Sequence, residues 1–294
     1  MGNARPREEK ATAGLLLMAL AVTFFTCIDT SAKWLILGGL PALQVVFARY
    51  AGHFLIGLAL YLPQEGKAAL RSNAGVKQLL RSVFLMGSTL CNFTALQYLP
   101  LTITTTVMFA GPVVVTLLSV PILKEKVGLR RLLAVLAGFC GVVIAIQPWG
   151  AEFHPAMFFS LGALMTASLY MIMTRMLAGV EANSTQQIWS SGIAAAALCP
   201  FVLAGWQWPD APLQWVIFLA IGLLGACGHI CATIAHRWAD ASLLAPVIYI
   251  QIFQASFAGV LVFDTWPTVW TLGGGLVIIA SGLYIWQRER HLAG

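Results

Sequence analysis

The feature that most constrains this chain is a series of ten apolar runs, each long enough to cross a lipid bilayer once as a helix. Only 10% of the 294 residues are charged, against about 25% in a typical soluble domain. The runs are also far too long for the strands of a membrane barrel. We therefore predict an all-α membrane protein. The ten transmembrane helices are predicted at residues 12–36, 41–62, 77–98, 101–123, 129–147, 156–178, 185–205, 213–236, 241–263 and 267–287.

The positions of the basic residues predict the orientation of the chain. If both termini are cytoplasmic, fifteen of the seventeen Lys and Arg residues fall on the cytoplasmic side, while the outer loops carry Glu152, Asp210 and Asp264. Cytoplasmic loops are enriched in Lys and Arg, so we predict cytoplasmic N- and C-termini in the bacterial inner membrane. The fifteen are Arg5, Arg7, Lys10, Lys67, Arg71, Lys77, Arg81, Lys124, Lys126, Arg130, Arg131, Arg175, Arg237, Arg288 and Arg290. Because they lie in short loops beside apolar runs, no nucleic-acid partner is predicted.

Two turns of the chain share a sequence pattern. Ala95–Thr102 and Ala235–Ser242 each begin with Ala, two residues and an aromatic residue, then continue with a tight turn and Thr or Ser. The segments that follow each reach an acid, Glu125 and Asp264. With five helices per copy, the second copy would insert upside down, and inverted halves let transporters expose one central site to either side in turn. We therefore predict a 5+5 inverted-topology repeat and alternating access.

The repeat divides the chain into five segments. We predict a cytoplasmic tail at residues 1–11, a first five-helix repeat at 12–147, an outer connecting loop at 148–155, a second repeat at 156–287 and a cytoplasmic tail at 288–294. No connection is long enough to join separate soluble domains, so the chain is predicted to form one membrane domain.

The ten helices, the Ala-x-x-aromatic turn and Glu125 after the fourth helix together resemble the drug/metabolite transporter superfamily, and within it the EamA-type family. The resemblance covers residues 12–287, and the pattern is most similar to that of the bacterial aromatic amino acid exporters. It implies a central cavity lined by helices 1, 3, 4, 6, 8 and 9, with helices 5 and 10 at the periphery. Asp264 departs from the pattern, since the family has Glu at that point.

Three charged residues lie at membrane depth in the first two helices. Asp29 is the only acid within an apolar run, Lys33 follows it on the same helical face, and Arg49 lies at a similar depth in helix 2. A charge near the bilayer centre costs about 3 kcal/mol or more, so one interpretation is a structural pair of Asp29 with Arg49 or Lys33. A second interpretation is that the net positive trio binds a substrate carboxylate. A third is proton coupling through Asp29, which the neighbouring cations disfavour.

Other candidate cavity residues lie on the remaining helices. Amides at membrane depth are costly unless they meet another helix, water or substrate, and aromatic side chains supply apolar walls. The candidates are Asn92, Tyr98, Met108, Tyr170, His229, Tyr249, Gln251 and Gln254. Pro112 and Pro246 each remove a helical hydrogen bond, so they predict kinks in helices 4 and 9.

Glycines in helices 5 and 10 predict close helix packing. They are Gly138, Gly141 and Gly273–Gly275, and small residues of this kind let helix backbones approach each other in lipid. Packing within the chain is favoured over a dimer face, so a monomer or weak dimer is predicted.

The sequence contains no nucleotide-binding loop and no catalytic motif. On helix 8, Cys227 and Cys231 share a face from which His229 points away, so no metal site is predicted, nor any cofactor or enzymatic activity. We predict a secondary transporter with a small-molecule substrate, exporting aromatic or large apolar amino acids. The alternatives are transport of another small metabolite or a cationic drug, and an intramembrane enzyme or lipid-handling protein that uses Asp29 with His53.

Overall fold

The computed structural model describes residues 11–124, 129–150, 153–177, 179–239, 244 and 247–293. Within these residues the chain forms eleven α-helices and one short 3-10 helix, without any strand. The α-helices are α1 (Ala11–Leu37), α2 (Ala42–Glu65), α3 (Gly75–Tyr98), α4 (Leu101–Met108), α5 (Gly111–Leu123), α6 (Leu129–Ile146), α7 (Met157–Leu177), α8 (Asn183–Leu203), α9 (Pro212–Trp238), α10 (Ile250–Phe263) and α11 (Val269–Ala293). The 3-10 helix, Gly66–Leu70, connects α2 to α3.

The helices follow the order of the predicted membrane segments. In the described part of the chain, eight helical segments have the length and hydropathy needed to cross a bilayer, and α4 with α5 makes up one of them. The apolar parts of α6 and α10 are shorter, at Leu132–Ile146 and Ile250–Phe263. The prediction of an all-helical membrane fold is therefore confirmed for the described residues.

The fourth membrane segment is interrupted between α4 and α5. The Phe109 amide donates to the carbonyls of both Thr105 and Thr106 at 3.2 Å, and the Ala110 amide donates to Val107 at 3.0 Å. Pro112 follows as the second residue of α5, a position where the missing amide hydrogen costs no helical bond. The break thus falls just before Pro112, where the sequence predicts a kink. The second predicted kink, at Pro246, lies outside the described residues.

The directions of α1, α3, α7 and α9 follow from their contacts. α1 is antiparallel to α9, α3 is parallel to α1, and α7 is antiparallel to α3, so α7 runs opposite to α1. The contacting pairs are Gly14–Ala239 and Gly38–Gln214 for α1 with α9, Asp29–Asn92 and Lys33–Leu99 for α1 with α3, and Arg81–Thr174 and Ser88–Ala163 for α3 with α7. We call the end of the bundle that holds the start of α1 the N-terminal end, and the other end the opposite end.

Two helix crossings bring backbones into direct contact. Where α2 meets α9, a Cβ atom on Gly222 would lie 2.6 Å from the Cα of Gly52. Where α6 meets α11, a Cβ atom on Gly274 would lie 2.5 Å from the carbonyl oxygen of Gly141. Neither site has room for a larger side chain, because real Cβ atoms essentially never approach so closely. The glycines of the α6–α11 crossing therefore pack within the chain.

Candidate functional site

The interface of α1, α2, α3, α7, α8 and α9 holds a group of polar and aromatic side chains that we call the polar junction. Its cations are deeply buried: Arg49 is 7% exposed and Arg81 is 4% exposed. Ionisable groups inside a membrane protein are expensive, and they usually mark a functional site. The members are Phe25, Asp29, Arg49, Tyr50, His53, Arg81, Thr89, Asn92, Tyr170, Thr174, Gln187, Ser190 and His229.

Asp29 and Arg49 face each other without pairing. The Asp29 carboxylate accepts a hydrogen bond of 3.0 Å from the Asn92 amide on α3, and it lies within Coulombic range of Arg49. Arg49 Nη1 donates instead to the Thr89 hydroxyl at 2.7 Å. Among the described residues, Asp29 forms no ion pair with Arg49 or with Lys33. The structure therefore does not contain the structural pair that the first interpretation of these charges predicts.

Arg49 retains unused hydrogen-bonding capacity. Its Nε atom is buried and has no hydrogen-bond partner in the described part of the chain. Its guanidinium carbon lies 4.8 Å from the ring centre of Tyr50, whose hydroxyl shares the Thr89 hydroxyl at 2.7 Å. The cation is thus held by neutral neighbours and keeps donors for another molecule.

Three rings form a wall beside these charges. His229 of α9 stacks on His53 of α2, with ring centres 5.3 Å apart and planes 19° apart. Phe25 of α1 meets His229 edge to face, again with ring centres 5.3 Å apart. The Gln187 side chain of α8 lies next to His53. The wall offers flat surfaces on which a planar ring could pack.

Arg81 is the principal site residue that sequence analysis missed, since it was assigned to a cytoplasmic-side segment. The structure places it well inside α3, where its Nε donates to Thr174 at 2.8 Å and its Nη1 donates to Ser190 at 2.6 Å and to the Gln186 carbonyl at 3.1 Å. Nη2 donates to the Tyr170 hydroxyl at 2.8 Å, and the guanidinium lies 4.5 Å from the ring centre of Tyr170. Arg81 thereby joins α3 to α7 and α8. Its distance from the start of α3, six residues, was the available signal.

Several predicted site residues lie apart from the polar junction. Lys33 donates to the Leu99 carbonyl at 2.5 Å and lies 5.3 Å from the ring centre of Phe263, toward the opposite end. Tyr98 is 54% exposed, and its ring stacks on that of His154 at 5.3 Å.

The candidates in the fourth and ninth membrane segments form a separate region. Gln254 of α10 donates to the Thr23 hydroxyl at 2.8 Å and accepts from Thr26 at 3.1 Å, so it binds α1 one to two turns from Asp29. Tyr249 packs edge to face on Phe109 at 5.3 Å. Met108 belongs to the same apolar cluster, and Gln251 is half-buried.

The structure therefore brings together some of the predicted site residues and adds others. The predicted residues found in the polar junction are Asp29, Arg49, Asn92, Tyr170 and His229. The residues that sequence analysis did not select as candidates are Phe25, Tyr50, Arg81, Thr89, Thr174, Gln187 and Ser190, with His53 considered only as a partner of Asp29. The polar junction draws on the second and seventh membrane segments, which the family resemblance did not place at the cavity.

Hydrogen bonds also connect loops at the N-terminal end, in a group that we call the N-terminal tie. The Glu181 carboxylate accepts from the Ser72 hydroxyl at 2.5 Å and from the Ala74 amide at 2.7 Å. The Ser184 hydroxyl donates to Glu65 at 2.5 Å. These bonds join residues 65–74 to residues 181–184.

A second group, the opposite tie, connects the loops at the other end. The side chain of Gln44 donates to the Gln207 carbonyl at 2.6 Å and accepts from the Gln207 amide at 2.9 Å. The Gln214 side chain donates to the Gly38 carbonyl at 3.1 Å. Residues 38–44 are thereby joined to residues 207–214.

The arrangement is suited to non-covalent binding. In the described part of the chain, Asp29 and His53, the pair required by the enzyme alternative, form no hydrogen bond with each other, because Asp29 accepts from Asn92 and His53 stacks on His229. Among the residues that the structure describes, no three His, Cys, Asp or Glu side chains could hold a metal ion. The polar junction instead offers separated charges next to flat rings, which are groups that fix the orientation of a small molecule in a pocket.

Comparison with known proteins places the chain among transporters. The riboflavin transporter of Vibrio cholerae is 27% identical over 293 residues, covering 95% of this chain and 97% of that protein. The S-adenosylmethionine uptake transporter of Rickettsia prowazekii is 24% identical over 251 residues, 85% of each chain. One crystal structure of a protein has the same fold, with a TM-score of 0.63, 18% identity and coverage of 95% of this chain and 97% of that one.

These relatives correct the predicted nearest resemblance and confirm the broader prediction of a small-metabolite transporter. The nearest resemblance was expected to be to aromatic amino acid exporters, and that expectation is wrong, because the named relatives are riboflavin and S-adenosylmethionine transporters. The turn pattern and Glu125 are features of the whole family, so they could not distinguish its branches. The sequence profile of the EamA-like transporter family matches the chain twice, at residues 12–147 and 154–286. This multi-pass membrane protein therefore belongs to the EamA-like transporter family.

Proposed function

We propose that this protein is a secondary transporter of the bacterial inner membrane that moves a small metabolite with a planar ring by alternating access around the polar junction. The observation that carries the proposal is that helices from both halves of the chain supply this junction, including α1, α2 and α3 from one half and α7, α8 and α9 from the other. Both termini are cytoplasmic in this proposal, on the basis of the distribution of Lys and Arg.

The helix contacts support a repeat of two inverted halves. If each of the first five membrane segments is replaced by its counterpart among the last five, the α1–α9 contact corresponds to the α7–α3 contact, and the α2–α9 contact corresponds to the α8–α3 contact. All four contacts are present. The α2–α8 and α6–α11 contacts each join a segment to its own counterpart, so the exchange leaves them unchanged. The two family matches support the same division near residues 148–155, and the opposite directions of α1 and α7 are those that an inverted repeat requires.

The two ties support alternating access. Each connects the first half to the second, one at each end of the bundle, through a few hydrogen bonds between loops. Net contributions are about 1 kcal/mol for a neutral hydrogen bond and about 1.5–3 kcal/mol for one to a charged group such as the Glu181 carboxylate, so either tie can be broken at moderate cost. Breaking one while the other holds would expose the polar junction to one side of the membrane.

The ring wall supports a planar substrate. Riboflavin and S-adenosylmethionine, named for the relatives, both contain a flat heteroaromatic ring system, and Phe25, His53 and His229 provide faces and edges for such a ring. Export of aromatic or large apolar amino acids is the second candidate function. The opposite charges of Asp29 and Arg49 favour it, because an amino acid carries both an ammonium group and a carboxylate.

Transport by the purified protein in proteoliposomes tests the proposal. We expect counterflow of at least one labelled compound among riboflavin, S-adenosylmethionine, phenylalanine, tyrosine and tryptophan, compared with liposomes lacking protein. His229→Leu should reduce the rate about tenfold or more, because it removes a ring of the wall, whereas His154→Leu, a matched change at an exposed position, should not. Failure of all five compounds to exchange would rule out the substrate class, and equal effects of the two variants would rule out the location.

A further inference from the structure

We propose that the polar junction binds the zwitterionic head of an α-amino acid, with Arg49 contacting the carboxylate and Asp29 contacting the ammonium group. The inference rests on the proposed function and adds the charge pattern of its substrate. It distinguishes between the ring compounds above, since riboflavin lacks such a head whereas S-adenosylmethionine and the aromatic amino acids have one.

The first support is that the two opposite charges lie side by side without pairing. Asp29 is bonded to Asn92 and Arg49 to Thr89, and these two α3 residues are three apart, which places them on one helical face about 5–6 Å from each other. Buried charges normally pair, because an uncompensated charge in a low-dielectric interior is costly. Two opposite charges held apart by neutral neighbours therefore indicate a place for a molecule that carries both.

The second support is the bonding capacity that remains. Arg49 is 93% buried by its 7% exposure, and its Nε has no partner among the described residues. The Asp29 carboxylate accepts one hydrogen bond, from Asn92, although a carboxylate offers about four acceptor positions. A substrate carboxylate would satisfy the guanidinium, and a substrate ammonium group would satisfy Asp29.

The third support is the position of the ring wall relative to these charges. Phe25 precedes Asp29 by four residues and His53 follows Arg49 by four, and both lie against His229, so the wall is one turn closer to the N-terminal end. Arg49 itself lies beside Gly225, one turn before His229 on α9. One turn rises about 5.4 Å, a distance that a ring joined to the head through one methylene group spans.

The other buried cations do not compete for this role. Arg81 donates to Thr174, Ser190, Tyr170 and the Gln186 carbonyl, so its nitrogens are already bonded. Lys33 is bonded to the Leu99 carbonyl near the opposite end. Among the cations that the structure describes, Arg49 is therefore the one with free donors next to Asp29.

Equilibrium binding to the full-length purified protein in detergent tests the inference. The probes are tryptophan compared with tryptamine, which lacks the carboxylate, and with indole-3-propionate, which lacks the ammonium group. A second pair compares S-adenosylmethionine with 5′-methylthioadenosine, which keeps the ring and ribose but lacks the amino acid. We expect the zwitterion to bind about tenfold or more tightly in at least one series, because each analogue leaves a buried charge unpaired.

Two variants test which residue produces each preference. A preference is the ratio of two affinities, and both are measured on the protein that remains folded. Asp29→Asn should abolish the preference for tryptophan over indole-3-propionate and keep that over tryptamine, and Arg49→Gln should do the reverse. Arg71→Gln, a control at an exposed arginine outside the polar junction, should keep both preferences.

The outcomes separate this inference from the proposed function. Transport of riboflavin with no preference for a zwitterion in either series, or with no effect of Asp29→Asn and Arg49→Gln on the ratios, overturns the inference and leaves the transporter in place. A zwitterion preference that both variants alter as expected, without counterflow of any ring compound, upholds the binding site and overturns transport. Absence of saturable binding by every probe overturns the inference.

Discussion

The polar junction and the α6–α11 contact are both buried helix interfaces, but they are built from different groups. Gly141 and Gly274 let α6 and α11 touch through their backbones, with one described side-chain hydrogen bond, from the Ser281 hydroxyl to the Ala134 carbonyl. The polar junction instead buries arginines, imidazoles and a carboxylate. Since close packing of small residues is enough to hold helices together in lipid, Asp29 and Arg49 are not needed for helix association alone, whereas Arg81 joins α3 to α7 and α8. We therefore regard the α6–α11 contact as a scaffold and the polar junction as the proposed ligand site.

Replacing Arg81 should have the largest effect on this comparison. Arg81→Met removes the guanidinium that donates hydrogen bonds to the hydroxyls of Thr174, Ser190 and Tyr170. Hydrogen bonds to charged groups are worth about 1.5–3 kcal/mol each. We expect a large drop in the thermal unfolding temperature in detergent and loss of transport. Lys77→Met changes an exposed cation on the same helix and should be neutral, so equal stability of the two variants would contradict a structural role for Arg81.

Adding one methyl group at each glycine crossing should separate scaffold from ligand-binding interface. Gly222→Ala would clash with Gly52, and Gly274→Ala would clash with Gly141, so each should cost about 1–3 kcal/mol of stability. Gly222→Ala should also reduce transport, because α2 and α9 carry Arg49 and His229, whereas Gly274→Ala should leave KM unchanged. Gly273→Ala, with open space around the added atom, is the neutral control, and a similar KM change at both crossings would contradict the distinction.

Weakening the N-terminal tie should have a smaller effect. Glu181→Gln replaces a charged acceptor for the Ser72 hydroxyl and the Ala74 amide by a neutral one, and charge-assisted bonds are roughly twice as strong as neutral ones. We expect faster hydrogen–deuterium exchange in the peptide containing residues 70–76, with little change in unfolding temperature. Asp210→Asn, at an exposed acid near the opposite end, should leave that exchange unaltered. Unchanged exchange in Glu181→Gln would show that the tie does not hold this loop.

The smallest effect is expected at Tyr98. Tyr98→Ala removes an exposed ring that stacks on His154, a contact worth about 0.5–1.5 kcal/mol at most. Transport should stay within twofold of the unmodified protein in proteoliposomes. A larger loss would extend the ligand site beyond the polar junction toward the opposite end.

The fold was largely predictable because hydropathy over 20 residues is a local property. The ten apolar runs specify the helices, and Asp29, Arg49 and Asn92 are visible as polar residues at similar depth. The partners of these groups are not local, however. One interpretation paired Asp29 with Arg49 or Lys33. In the structure Asn92 and Thr89 of α3 bind Asp29 and Arg49 instead, and that outcome depends on how three helices pack.

Arg81 and Lys33 also show that side-chain partners cannot be predicted from sequence position: Arg81 was missed as a site residue, and Lys33 was wrongly grouped with Asp29. Arg81 lies in a basic stretch after Lys77 that is typical of a loop, and only its packing against α7 and α8 makes it part of the junction. Lys33 shares a helical face with Asp29, yet its flexible chain reaches the Leu99 carbonyl toward the opposite end. Sequence position predicts the depth of a Cα atom better than it predicts the location of a long charged side chain.

The bare crossing of Gly52 and Gly222 has a mechanical consequence. The two glycines place no side chain between the backbones at the contact point, so a tilt of α2 relative to α9 would pivot there. The ends of α2 lie about 15–20 Å from the crossing at 1.5 Å per residue, so a tilt of about ten degrees would displace them by roughly 3 Å in opposite senses. Gln44 and Glu65, near those two ends, would then move in opposite directions. Separation of Gln44 from Gln207 would bring Glu65 closer to Ser184, and the reverse tilt would do the opposite.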